Sequence, residues 1–164
     1  PAAMHSFYLR TMYMENRLIE PGGIEIDGTP IDLSKIKVPC YFISTIEDHI
    51  APWKSTYMGA RRFGGPTRFV LGGSGHIAGI VNPPAANKYG YWLNPAAKLA
   101  DTADAWLEGA QQHPGSWWTD WQAWVTAHDS EQTEARDPAK GKLEALEDAP
   151  GHFVKIRIDA KAAA

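Results

Sequence analysis

Two apolar runs organise the middle of the chain. VPCYFIST, residues 38–45, is rich in β-branched and aromatic side chains, follows a lysine and holds a proline at its start. A run of this length and composition predicts a buried parallel strand. Glu47, Asp48 and His49 stand where that strand should end. Pro52 suits the first turn of a following helix, because its missing N–H would find no intrahelical partner there. The pattern predicts that helix over residues 52–63, stopped by Gly64-Gly65. TRFVLG, residues 67–72, predicts a second buried strand, and Gly72-Gly73-Ser74-Gly75 then turns the chain and delivers His76.

The flanks are less regular. Residues 1–20 predict a helix whose apolar and aromatic surface, from Phe7, Tyr8, Met12, Tyr13, Met14 and Leu18, runs round most of its circumference. Pro21-Gly22-Gly23 ends it. Core packing explains most of these side chains, while Tyr8, Arg10 and Asn16 are polar members able to face a substrate channel. Residues 24–36 hold an Asp-Gly turn between short extended pieces, which predicts a hairpin or an extended linker. Asp32 and Ser34 can cap a short turn after it. Residues 77–94 contain Pro83-Pro84 and predict a surface loop. Residues 101–113 predict a helix capped by Asp101 or Thr102.

In GSWWTDWQAWVTAH, Trp117, Trp118, Trp121, Trp124 and Val125 recur at helical spacing. Such a stripe is commonly core or subunit packing, and a buried indole N–H still needs an acceptor. Residues 129–148 are charged and poorly periodic, which predicts a solvated linker or frayed helix. GHFVKIRI, residues 151–158, alternates well enough for an edge strand or a docked tail, and the final AKAAA predicts disorder.

Composition narrows the function classes. The chain has 164 residues, enough for one ordinary core, and 44% are hydrophobic. Its formal net charge is −3 with no basic stripe, so nucleic acid is not an expected partner. No run approaches the roughly 20 apolar residues of a membrane span. One cysteine, Cys40, rules out an intramolecular disulfide and is compatible with a reducing cytoplasm. Starting on Pro1 within a helical pattern, the chain reads as a piece of a longer protein. The other histidines show no ligand spacing, so no metal is expected. The Gly72–Gly75 turn lacks a phosphate-cradle pattern, and no cofactor is implied.

The candidate chemistry sits beyond the two strands. Reactive groups in open α/β sheets gather past the carboxyl ends of strands. Asp48 and His76 each occupy such a place, on strands expected to be neighbours. A carboxylate can hold one imidazole nitrogen and leave the other free to take a proton. Acid followed by histidine is also the order of the last two members of an α/β-hydrolase triad. Taken alone, Asp48 reads equally well as a helix cap. His76 could be a structural histidine, although the small residues before it favour a ring at a cleft surface. His49 can bind substrate or merely pair with Asp48.

EDHIAPW, RFVLGGSGHIAGIVNPPAANK, GSWWTDWQAW, the opening PAAMHSFYLR and the APGHFVK tail together resemble the C-terminal portion of class I polyhydroxyalkanoate synthases. The resemblance covers essentially the whole chain and is weakest in the linker. It implies the C-terminal part of an α/β-hydrolase fold, with residues 1–23 the end of an inserted cap. Residues 24–128 would then be the C-terminal part of the core, 129–148 a solvated linker and 149–164 a tail. It implies an acyltransferase that takes 3-hydroxyacyl-CoA, releases CoA and extends a polyester held on a cysteine. Asp48 and His76 match the triad acid and base, and His49 matches a histidine close to the active site. A homodimer formed through the cap and a cytoplasmic place at the polyester granule surface are implied too. The family's G-x-C-x-G elbow is not in this sequence. Cys40, in mid-strand without glycines around it, reads as a buried, inert thiol. The missing N-terminal part would supply the nucleophile, and the chain alone should be inactive.

Two other readings remain open on the residues alone. One is a serine esterase or depolymerase of the same fold, which uses acid and histidine in the same order. The other is a non-catalytic packing or granule-associated module, which the tryptophan stripe and the aromatic first helix permit.

Overall fold

The computed structural model describes residues 1–157. The AKAAA end and Ile158, the last residue of the expected tail strand, lie outside the described residues. The chain is mixed α/β, and its contacts divide it into a unit of residues 1–129 and a second unit beginning at Ser130.

The first helix is shorter than its pattern predicts. An α-helix, α1, spans Ala2–Tyr8 and continues as a π-helical stretch over Leu9–Met14. Asn16 then takes a left-handed conformation, φ 50°, which ends the helix before the expected Glu20. A hairpin follows, with β1 at Glu25–Ile26 and β2 at Thr29–Pro30. Its turn residues, Asp27 and Gly28, both have positive φ, as a type I′ turn demands. The Asp32 carboxylate then accepts from Ser34 N–H at 2.9 Å and caps a 3-10 turn over Leu33–Lys35, as its sequence suggests.

The central unit is a four-stranded sheet. β3 (Cys40–Thr45) runs parallel to β4 (Thr67–Gly72), in register from Cys40 opposite Thr67 to Thr45 opposite Gly72. Helix α2 (Trp53–Ala60) makes the crossover and has Pro52 at its N-cap. β3 is less enclosed than expected. It stands at the sheet's edge among the described strands, and only Ser44 and Thr45 are fully buried.

Two short strands were not expected. β5 (Tyr91–Leu93) lies within the predicted surface loop and pairs antiparallel with β4. β6 (Gln111–His113) pairs with β5 and takes the residues predicted to end a helix. Helix α3 is therefore confined to Ala103–Glu108, with Thr102 Oγ1 accepting from Ala105 N–H at 3.1 Å. Helix α4 spans Trp118–His128.

Side-chain alternation along β4 builds a core on each face of the sheet. Phe69 and Leu71 meet Trp53, Tyr57 and Ala60 of α2, and Ala103 and Trp106 of α3. Val70 points the other way, to Tyr91 and Trp117. Tyr57 and Trp106 are essentially inaccessible, and burying each contributes roughly 2–3 kcal/mol. The Tyr57 hydroxyl donates to Ala100 O at 2.8 Å, so its burial leaves no unpaired donor.

The second unit is described by local structure: 3-10 turns at Pro138–Lys140 and Phe153–Lys155. The expected edge strand over residues 151–158 is not formed in its described part. Phe153, Val154 and Ile156 are exposed there, with no strand to pair with among the described residues. No helix among the described residues is long and apolar enough to cross a membrane.

Candidate active site

Parallel pairing of β3 with β4 brings two loops to the same rim of the sheet. Backbone bonds then lock them together. Ile46 N–H donates to Gly72 O at 2.9 Å, and Glu47 N–H donates to Ser74 O at 3.1 Å. On the other side Gly73 N–H donates to Gly90 O at 2.9 Å, which ties the turn to the start of β5. Ser74 is held at φ 69°, an uncommon value for a residue with a Cβ, and this bend points the chain toward His76.

The result is a direct contact between the two predicted residues. His76 Nδ1 lies 2.8 Å from Asp48 Oδ2. The carboxylate's other oxygen is also used. Oδ1 accepts from the N–H groups of Ile50 and Ala51, each at 2.9 Å. One side chain thus bonds the backbone on the approach to α2 with one oxygen and holds the imidazole with the other. These bonds pull the Asp48 carboxyl down to about 2, the Ala51 N–H foremost and the His76 hydrogen bond next. The group is therefore a carboxylate at neutral pH. Being acceptor-only, it requires the proton on Nδ1, so that in the neutral imidazole Nε2 is the acceptor. The Asp48 side chain is 8% exposed and that of His76 45%. Nε2 has no hydrogen bond among the described residues. The imidazole is thus held at Nδ1 by a nearly buried carboxylate while its side chain stays 45% exposed.

The other singled-out residues are not drawn into this cluster. His49 is exposed, and among the described residues the one side chain bonded to the Asp48 carboxylate is that of His76. Tyr8 is 49% exposed and packs edge-on against Tyr13, with ring centroids 5.5 Å apart. Arg10 donates to Ser6 Oγ within its own helix. Cys40 is half-buried at the opposite end of β3 from Asp48, its thiol 3.4 Å from Val38 O. No cluster of three potential metal ligands occurs among the described residues.

Not foreseen in the sequence is what the tryptophans bond in the loop after His76. Trp117 Nε1 donates to the carbonyls of Gly79 and Ile80, both at 3.2 Å, and Trp118 Nε1 donates to Ile80 O at 3.0 Å. The signal was the need of paired indoles for acceptors. Gly79 itself has no room for a side chain. A Cβ there would strike the Gly73 carbonyl oxygen and Thr45 Cγ2, and would meet Gly75 O at 3.1 Å. Gly79→Ala should therefore lower stability by about 1–3 kcal/mol, the usual effect of overpacking against backbone. Denaturant unfolding of the variant beside the parent chain checks this.

No protein-family model matches the chain. Curated proteins do. The poly(3-hydroxyalkanoate) polymerase subunit PhaC of Rhizobium etli is 49% identical over 156 residues, covering 95% of this chain and 24% of that protein. Its counterpart from Rhizobium meliloti is 48% identical over 157 residues, covering 96% of this chain and 25% of that protein. The Cupriavidus necator subunit is 42% identical over 158 residues, covering 96% and 26%. The chain spans about a quarter of the length of the curated relatives it matches. By sequence, then, this chain is a homologue of the C-terminal part of the poly(3-hydroxyalkanoate) polymerases.

Proposed function

We propose that this chain supplies the acid and the base of a Cys–Asp–His triad in an acyltransferase that polymerises 3-hydroxyacyl-CoA into polyester and releases CoA. The observation that carries the reading is the 2.8 Å contact between His76 Nδ1 and Asp48 Oδ2 at the rim of two parallel strands. The similarity to poly(3-hydroxyalkanoate) polymerases supports a 3-hydroxyacyl substrate class.

In this reading the nucleophilic cysteine comes from the remainder of a longer protein. Its thiol proton passes to His76 Nε2 as the sulfur attacks the thioester carbonyl. The bond from that carbonyl carbon to the CoA sulfur breaks, and the imidazolium returns the proton to the departing thiolate. Next the same nitrogen takes the proton of an incoming 3-hydroxyl. That oxygen attacks the acyl-cysteine, an ester C–O bond forms, and the cysteine sulfur leaves and takes the proton back from the imidazolium. Asp48 holds the tautomer and stabilises the imidazolium in both halves. Sulfur suits the task because nucleophile and leaving group are then matched, so thioester exchange is close to balanced.

The parallel β3–β4 pair with its two loops supports an α/β-hydrolase core. Residues 1–23 are assigned to the end of a cap and residues 24–128 to that core. Residues 129–148 are the linker and 149–164 the tail. The partners follow: hydroxyacyl-CoA, the growing polyester, the N-terminal part, and a second copy joined through the cap at a granule surface in the cytoplasm. His49 and Tyr8 are assigned to substrate contact at the cap-covered face.

A chimera tests this. The chain replaces the matching quarter of the Rhizobium etli polymerase, and CoA release from 3-hydroxybutyryl-CoA is followed with a thiol reagent. Polymer-forming turnover by the chimera, absent from either part alone, is the expected result. A folded chimera without turnover contradicts the proposal.

A further inference from the structure

We propose that Trp117 and Trp118 are positioning residues for His76, acting through the carbonyls of Gly79 and Ile80. The inference rests on the acid–base reading of His76. Its starting point is how little else holds that histidine. The ring makes one side-chain hydrogen bond, to Asp48. The neighbouring Ile77 is 69% exposed, so the outer side of the loop adds no buried packing.

The loop coils after His76 into a short helical turn. Gly79 N–H donates to Gly75 O at 3.0 Å, and Val81 N–H donates to Ile77 O at 2.8 Å. A turn this short ends in carbonyls that the next turn of a longer helix would have used. The indoles take that place at Gly79 O, and at Ile80 O they add to the Asn82 N–H, which donates there at 3.0 Å. Trp117 bridges the Gly79 and Ile80 carbonyls, Trp118 adds a second bond to Ile80 O, and Ser116 Oγ donates to Asn82 O. Three successive side chains at the start of α4 therefore grip three of the four residues from Gly79 to Asn82.

The grip transmits position because α4 is itself fixed to the sheet. Asp120 accepts from the Tyr41 hydroxyl at 2.9 Å and from Arg68 Nε at 2.9 Å, with a further bond from Arg68 Nη2. Tyr41 and Arg68 lie on β3 and β4, and their register partners are each other. The Asp120 side chain is only 11% exposed. Burial and the Asp120 carboxylate both push the Tyr41 phenol upward, so it stays a donor. Asp48 stands after β3 and the indoles stand on a helix bound to β3, so both anchors of His76 refer to one rigid strand pair. Displacement of a base by about 1 Å can lower turnover on the order of a hundredfold.

Phenylalanine at both positions keeps the aromatic packing and removes the two donors. In the chimera, Trp117→Phe/Trp118→Phe should lower kcat for 3-hydroxybutyryl-CoA about tenfold, the scale of one or two lost hydrogen bonds, and leave KM within about twofold, because no substrate contact is removed. In the isotope-labelled chain, the Nδ1–H resonance of His76, identified by its loss in His76→Ala, should broaden in the double variant. A kcat within about twofold of the parent overturns the assignment, as does a loss of kcat with that resonance unchanged. If the double variant fails to fold, Trp118→Phe alone is read by the same two measurements. Should the parent chimera not polymerise, the functional reading falls, and the resonance by itself decides the tether: unchanged, it overturns it.

Discussion

Alanine at position 76 should lower CoA release by the chimera by about 10²–10⁴-fold, the range a positioned general base contributes. The structure explains why the loss should fall on kcat. His76 Nε2 has no partner among the described residues, and Nδ1 is already engaged by Asp48. In the proposed role the ring is held for proton transfer, and its one side-chain bond is the one to Asp48. Its side chain is 45% exposed, so truncation opens no buried cavity. The unfolding midpoint should therefore fall only by the one lost bond to Asp48, while turnover collapses. Steady-state thiol release and thermal unfolding, measured on the same preparations, separate the two. Near-parental polymerisation by the variant would refute the assignment.

Replacing Asp48 by asparagine should act twice. In catalysis the amide offers Nδ1 a donor where a carboxylate stood. The imidazole then favours the tautomer with its proton on Nε2, which cannot accept one, and turnover should fall by about 10³–10⁴-fold, as for a triad acid made neutral. In stability the effect has a pH signature. The folded carboxyl is held at about 2, below its ordinary value of 3.8, by the Ala51 N–H first and then by His76. A depressed acid stabilises the fold above its unfolded pKa, and that contribution fades as pH falls through the folded value. The stability gap between the parent and Asp48→Asn should be full above about pH 4 and should close toward pH 2. Chemical unfolding at pH 2, 3, 4 and 6 measures it. A gap constant across that span would show that Asp48 has no such bonds.

The legible part of the fold is the part with strong apolar runs. β3, α2 and β4 follow directly from VPCYFIST, Pro52 and TRFVLG, because burial requires their side chains to repeat with the period of each element. β5 and β6 escaped because each has three residues, too few for a period, and β6 is the polar sequence Gln111-Gln112-His113. Their formation depends on β4 offering a free edge, which is a tertiary fact. The first helix was overextended because nothing in its pattern announces the left-handed Asn16. At the site, Asp48 and His76 could be paired in advance because both follow strands and such strands are commonly neighbours. The indole tether could not, since it joins residues 37 and 38 positions apart. His49 shows the limit of reading proximity from a chain: adjacency to Asp48 in sequence gave it no bond to that carboxylate.

Thiol reactivity tests the central claim most directly, that His76 oriented by Asp48 is the base for a cysteine on the remainder of the longer protein. The rate of alkylation of the elbow cysteine by iodoacetamide is followed against pH in the chimera with His76 intact and with His76→Ala. A cysteine reactive near neutral pH is expected in the parent, and in the variant a midpoint moved up toward about 8.5, that of an unassisted thiol. Superimposable curves would contradict it.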